Sequence, residues 1–235
     1  MELDLNKFLL ATGVALTLVA APAKADTSIA IGVTAHSSTW DTAGHEKEVS
    51  ASGVAGANEI NSTTHSHDAD YGSYFIEIVQ KEGLAGMTFG VAHTPGEATI
   101  GTKSRTDAES PADTDSDDGT YTAKAEVSDY YLVYVEPTFY FNDNFGIYGK
   151  LGATHLTVRS KETLQSGGAY GDEQVYGGML GLGFRALTPI GVFIKTEWTK
   201  TEYQSVELAS TTGNSNIIEA DTDQEAVSIS IGFQF

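Results

Sequence analysis

The sequence predicts an all-β protein, an eight-stranded antiparallel up-and-down transmembrane β-barrel. Three observations predict it. Eight short segments alternate apolar residues with polar or small ones, their connections are short and long in strict turn, and charged residues collect on the face opposite the apolar row. A chain of 235 residues fits one domain, and its 25 Gly, 11 Tyr and 10 Phe against only 5 Pro suit strands joined by tight turns.

The start of the chain reads differently from the rest. "KFLLATGVALTLVAAPAKA" places Lys7 before an apolar run from Phe8 to Ala21, followed by small-x-small "AKA". That is the layout of a secretory signal peptide over residues 1–25, with cleavage between Ala25 and Asp26. The run is too short for a membrane-spanning helix, which needs roughly 20 apolar residues. Glu2 and Asp4 depart from the usual basic start. Removing Glu2, Asp4, Lys7 and Lys24 leaves the net charge at -19, so residues 26–235 form a strongly acidic barrel domain.

Each of the eight segments has a period of two. "SIAIGVTAH" sets Ile29, Ile31, Val33 and Ala35 against Ser28, Ala30, Gly32 and Thr34. "YFIEIVQ" sets Tyr74, Ile76 and Ile78 against Phe75, Glu77 and Val79; "MTFGVAH" sets Met87, Phe89 and Val91 against Thr88, Gly90 and Ala92. "VSDYYLVYVEPTFYF" opposes Tyr131, Val133, Val135, Phe139 and Phe141 to Tyr130, Leu132, Tyr134, Glu136 and Tyr140. The fifth, "FGIYGKLGATHLTV", carries Lys150 opposite Ile147 and Leu151, and the sixth, "VYGGMLGLGFRAL", carries Arg185 opposite Leu180, Leu182 and Phe184. In the seventh, "IGVFIKTEWTKTEY", Lys195 and Glu197 oppose Ile194 and Trp198. The eighth, "AVSISIGFQF", puts Val227, Ile229, Ile231, Phe233 and Phe235 on one face.

"KEGLAG", "NDN" and "TP" are the short connections, whereas residues 37–69, 94–126, 160–172 and 204–220 read as long acidic loops. This rhythm gives a barrel one trimmed end and one elaborated end. A soluble ligand-binding calyx would share the alternation but turn its apolar face inward. The charges decide between the two. Glu77, Glu136, Lys150, Arg185, Lys195 and Glu197 lie on the non-apolar face, three acids and three bases in a chain of net charge -19. Charges on a watery exterior need not balance, whereas enclosed ones must be paired. The balance therefore predicts a lumen charge network, with the apolar face towards lipid.

Asp and Glu outnumber Lys and Arg 32 to 13, so no nucleic-acid partner is expected. With no cysteine, thiolate chemistry and disulfides are excluded. "DTDSDDGT" has the first acids of an EF-hand loop, but its glycine comes one place late, at Gly119, and Lys124 stands where a glutamate is required. His65, His67, Asp68 and Asp70 in "HSHDAD" lack a rigid partner set, so no metal or other cofactor is expected. His93, His155, Ser128 and Asp129 sit at similar strand heights, yet nothing in the sequence orients a nucleophile and base, and no enzymatic activity is expected.

A cleaved signal, eight amphipathic strands, short turns alternating with long loops and a terminal phenylalanine resemble the small outer-membrane β-barrels of Gram-negative bacteria, the OmpA transmembrane domain, OmpX and opacity-protein type. The resemblance covers Asp26 to Phe235 and is architectural. It implies an outer-membrane location and a structural or surface-interaction role, with a narrow porin-like channel for small solutes or ions as the alternative. Outer-membrane lipid and lipopolysaccharide would surround the barrel. "ISIGFQF" resembles the terminal signal read by the outer-membrane assembly machinery, which would assign that role to Ile229, Ile231, Phe233 and Phe235. A salt-bridge network in the lumen is a further property of barrels of this type.

Overall fold

The computed structural model describes residues 26–48, 59–107, 119–162, 170–210 and 217–235. The signal segment, Ala25 and most of "DTDSDDGT" lie outside the described residues. The strands are β1 Asp26–Glu48, β2 Glu59–Glu82, β3 Ala85–Asp107, β4 Gly119–Tyr140, β5 Phe145–Glu162, β6 Glu173–Leu187, β7 Val192–Tyr203, β8 Val206–Ala209 and β9 Ile217–Gln234. Each pairs antiparallel with its neighbour, and β9 returns to pair with β1. Eight strands therefore close the barrel. The short β8 prolongs β7 along β9 past a one-residue offset, since Glu202 opposes Asp223 and Val206 opposes Ala220.

Local chemistry sets the trimmed end. Gly83, at φ 59°, starts the two-residue Gly83–Leu84 turn between β2 and β3. The Asn142 side chain accepts from the backbone N–H groups of Asn144 and Phe145 at 2.9 and 3.0 Å, closing the β4–β5 connection. At the seam, Ile29 and Phe235 exchange both backbone hydrogen bonds, at 3.0 and 2.9 Å. Closure satisfies the ladder groups that an open sheet would leave bare in lipid.

Of residues 37–69, 94–126, 160–172 and 204–220, expected as loops, the described parts of the first two are paired strand instead, and strand also covers 160–162, 206–209 and 217–220. The β1–β2 ladder runs without a break to Glu48 opposite Glu59, and β3–β4 reaches Asp107 opposite Gly119. β1 has 23 residues, about twice the nine to eleven that a tilted membrane strand needs. What sustains the upper half is an exchange of faces. In the lower half Ile29, Ile76, Val133, Leu180 and Ile231 point outward and the lumen is polar. Higher up, Trp40, Ile100, Leu156, Val175, Val206 and Leu208 pack inward as an apolar core, and the exterior is polar. Period two continues through the change in β1, though bulges interrupt it in β3 and β4, and fewer apolar residues mark it, so the segments look like loops to a reading keyed on apolar rows. A bulge between Ser128 and Tyr131, with Asp129 at φ 53°, shifts β4 so that Val127 and Tyr130 both face this core.

One line of the wall stays unpaired. The β2–β3 ladder ends at Tyr74 opposite His93, while the β1–β2 and β3–β4 ladders continue above it. The Gly83–Leu84 turn makes Glu82–Ala85 a hydrogen-bonded pair, and every second pair upward repeats it as far as Tyr74–His93. The next partner in that series, for Gly72, is Pro95, which has no N–H to donate. A register shift between Thr94 and Glu97, with Gly96 at φ 91°, then turns β3 aside.

Candidate functional site

The site is the lumen, and five strands build it. β2 supplies Glu77, β4 Glu136, β5 Lys150, β6 Arg185, and β7 both Lys195 and Glu197. All six side chains are almost fully buried, Glu77 and Glu136 at 1% exposure. The Lys195 ammonium donates to Glu77 Oε1 at 2.6 Å and to both oxygens of Glu136 at 2.7 and 2.8 Å. Lys150 Nζ donates to both oxygens of Glu197 at 2.8 Å and lies 3.4 Å from Glu136 Oε1. Arg185 reaches Glu77 Oε2 at 3.5 Å and donates to Gln234 Oε1 at 2.6 Å, and Gln234 in turn donates to Ser28 at 2.7 Å. Three acids and three bases thus form one neutral, contiguous network. In so buried a site its strength rests on every partner being present.

Aromatic residues wrap these charges. Tyr134 donates to Glu77 at 2.7 Å and Tyr148 to Glu197 at 3.0 Å. Lys150 sits 4.3 Å above the Tyr134 ring, and the Arg185 guanidinium sits 4.3 Å above Phe193. Each of these large rings needs an empty position directly across the ladder, and glycine provides it. Phe75 opposes Gly32, Tyr134 opposes Gly90, Tyr148 opposes Gly183 and Phe193 opposes Gly232. A Cβ added at Gly90 would lie 2.2 Å from the Tyr134 ring, and one at Gly183 2.4 Å from Tyr148. These glycines are cavities for neighbouring rings, a packing role that explains their presence inside strands.

Above the charges, side chains leave a cavity of about 20 Å³, beside Thr34, Ser73 and Leu132. That is room for about one water molecule. His36 roofs it, with Nδ1 2.7 Å from the Ser228 hydroxyl and Nε2 2.9 Å from that of Ser73, stacked on Tyr71 at 4.5 Å. Gln224 then donates to Tyr71 at 2.9 Å and accepts from Tyr203 at 3.1 Å, which leads into the apolar core around Trp40.

The other residues singled out in the sequence fall elsewhere. His93 lies 2.7 Å from the Tyr74 hydroxyl and stacks on Tyr131, and His155 packs on Tyr176, all on the outer surface where the apolar belt ends. Ser128 donates to Asp129 at 3.1 Å. His65 and His67 stack on each other along β2, and Asp68 accepts from Thr39 at 2.8 Å. No group of three metal-ligating side chains occurs among the described residues. Ile229, Ile231, Phe233 and Phe235 all point outward from the closing strand, and Asp26 opens β1. Tyr134, Tyr148, Gln234 and His36 belong to the lumen network although no charge on the sequence marks them. Their position on the same strand face as a charged residue, or one ladder step away, is the signal that identifies them.

No protein-family model and no curated protein matches the chain. Among solved structures it is similar to Ail, the attachment invasion locus protein of Yersinia pestis, in complex with the heparin analogue sucrose octasulfate, at 15% identity and TM-score 0.39 over 90% of this chain and 99% of that one. It is also similar to Neisserial surface protein A, at 11% identity and TM-score 0.31 over 85% and 97% of the two chains. A Pseudomonas aeruginosa FadL homologue is similar at 11% identity and TM-score 0.29 over 88% and 64%. At these values no ligand or role passes from those proteins to this chain. Its own geometry, a closed eight-strand ladder with an apolar belt outside and paired charge within, is the architecture of a small transmembrane β-barrel.

Proposed function

We propose that this chain is an integral outer-membrane protein of a Gram-negative bacterium, exported by the signal at residues 1–25, with a non-enzymatic structural or surface-interaction role. The paired charges plug the lumen, and the acidic upper barrel, with the segments that join its strands, meets the outside. The observation that supports the reading is the neutral six-residue network around Lys195, buried across the lumen beneath a cavity of about 20 Å³. Lipid and lipopolysaccharide surround the belt of Ile29, Ile76, Val133, Leu180 and Ile231. The test is planar-bilayer recording of protein whose folded state has first been established by its heat-dependent gel mobility. The expected record is flat. Regular conductance steps would replace this reading with that of a narrow channel for small solutes or ions.

The outer-membrane assembly machinery reads Ile229, Ile231, Phe233 and Phe235 in this reading. Deleting Phe235 removes the two backbone bonds to Ile29 and one outward ring from an otherwise intact ladder. The expected outcome is a severalfold loss of assembled protein in cells, while refolding into detergent micelles yields a barrel of nearly unchanged urea midpoint. Equal losses in both settings would assign Phe235 to the fold alone.

A further inference from the structure

The unpaired line between β2 and β3 contains a cavity of about 230 Å³ just above the Tyr74–His93 pair that ends the ladder. Its position follows from Pro95: with no N–H opposite Gly72 the two strands part, and the Thr94–Glu97 shift widens the gap. The rings of Trp40, Tyr71 and Tyr130 form part of its wall, and Asp70 and Glu97 are its carboxylates. It is smaller than the roughly 300–1,000 Å³ of drug-sized pockets, so its occupant is small.

The lining chemistry is one-sided. It contains two carboxylates and no Lys, Arg or His. Arg159 pairs with Glu97, but Asp70 has no ion pair or hydrogen bond among the described residues. The Tyr130 hydroxyl is buried beside the Tyr71 and Tyr203 hydroxyls without a hydrogen bond of good geometry. The formal charge of the lining is thus wholly negative, aromatic rings share its wall, and the chain's net charge of -19 concentrates cations at the surface. An anion would meet two carboxylates and no cation in the lining. A divalent metal lacks a third ligand among the described residues.

We propose that this cavity between β2 and β3 binds a small organic cation, an alkylammonium or alkylguanidinium whose charged head lies against Asp70 and whose shaft rests on the Tyr71 and Tyr130 side of the wall. Neither the belt nor the six lumen charges take part, so the proposal does not depend on whether the barrel conducts.

The chain has two tryptophans, and Trp198 faces outward from the belt, so Trp198→Phe leaves Trp40 in the cavity wall as sole reporter. The experiment titrates that protein, refolded in detergent micelles, with agmatine. A saturable change in Trp40 emission is expected, with no response to methyl α-glucoside. Asp70→Asn is expected to weaken agmatine binding about fivefold, the scale of one exposed ion pair. Glu207→Gln, the same change of charge on β8 and outside the lining of this cavity, is expected to leave it unaltered. Saturation-transfer NMR on the unsubstituted barrel and its Asp70→Asn variant makes the same comparison without the tryptophan change. The proposal is overturned by the absence of saturable binding, by equal weakening in Asp70→Asn and Glu207→Gln, or by a response to the glucoside in place of agmatine.

Discussion

Lys195→Met is expected to destabilise the barrel by about 3–5 kcal/mol, the cost of leaving buried charge without its partner. Lys195 is 2% exposed and is the only cation that bonds both Glu77 and Glu136 in the network. Without it Glu136 keeps only Lys150 at 3.4 Å, and Glu77 keeps only the long contact to Arg185 together with the Tyr134 hydroxyl. Methionine fills similar space but offers no donor. The measurement is the urea midpoint of folding in phospholipid micelles, read by heat-dependent gel mobility. Combining Lys195→Met with Glu136→Gln is expected to recover most of the loss, because two acids and two bases then remain in register. A loss below about 1 kcal/mol for the single substitution would mean that water reaches these groups and screens them.

Gly90→Ala is the second large effect, at about 2 kcal/mol, on the scale of an overpacked core. The added methyl would sit 2.2 Å from the Tyr134 ring and 2.5 Å from its hydroxyl. Tyr134 must swing away, breaking its bond to Glu77 and withdrawing its ring from Lys150. The damage therefore reaches the charges although alanine carries none. Gly149→Ala is the control, since a Cβ there finds nothing nearer than 3.9 Å, and its midpoint is expected to stay within about 0.5 kcal/mol of the parent. Similar losses at Gly90 and Gly149 would show that strand flexibility, and not the ring, sets the cost.

The lower half of the fold is legible in the sequence because two independent patterns agree there. Ile29, Ile31 and Val33 mark one face of β1, and Glu77 or Lys195 marks the other face of its strand. Period two assigns a side chain to a face, but not its height relative to a strand five places away. That height depends on the stagger of the whole barrel. The bidentate grip of Lys150 on Glu197, and the sharing of Lys195 by Glu77 and Glu136, are consequences of stagger. The upper half was harder to read for another reason. Trp40, Ile100 and Val206 are isolated apolar residues among Ser, Thr, Asp and Glu, and the face they mark is opposite in character to the one below. The bulge at Asp129 interrupts the count of two just where the faces exchange. Pro95 gave a local signal, a residue that cannot donate, but its effect depends on which partner it would have faced. That partner is fixed by a turn twelve residues earlier, at Gly83.

The network also bears on the order in which the barrel comes together. Its charges are spread from β2 to β7, and Gln234 on β9 joins through Arg185. While β9 and β1 are apart, Glu77 and Lys195 sit on sheet regions that have not yet curled to face one another, and Arg185 lacks Gln234. A partly curled sheet entering lipid would carry several of these charges without partners, a state that costs several kcal/mol per ion. Contacts this distant along the chain form late and together. The same six residues that are buried together in the finished barrel thus penalise every arrangement in which the two edges have not met. They make closure an all-or-none event and select against barrels with the wrong stagger.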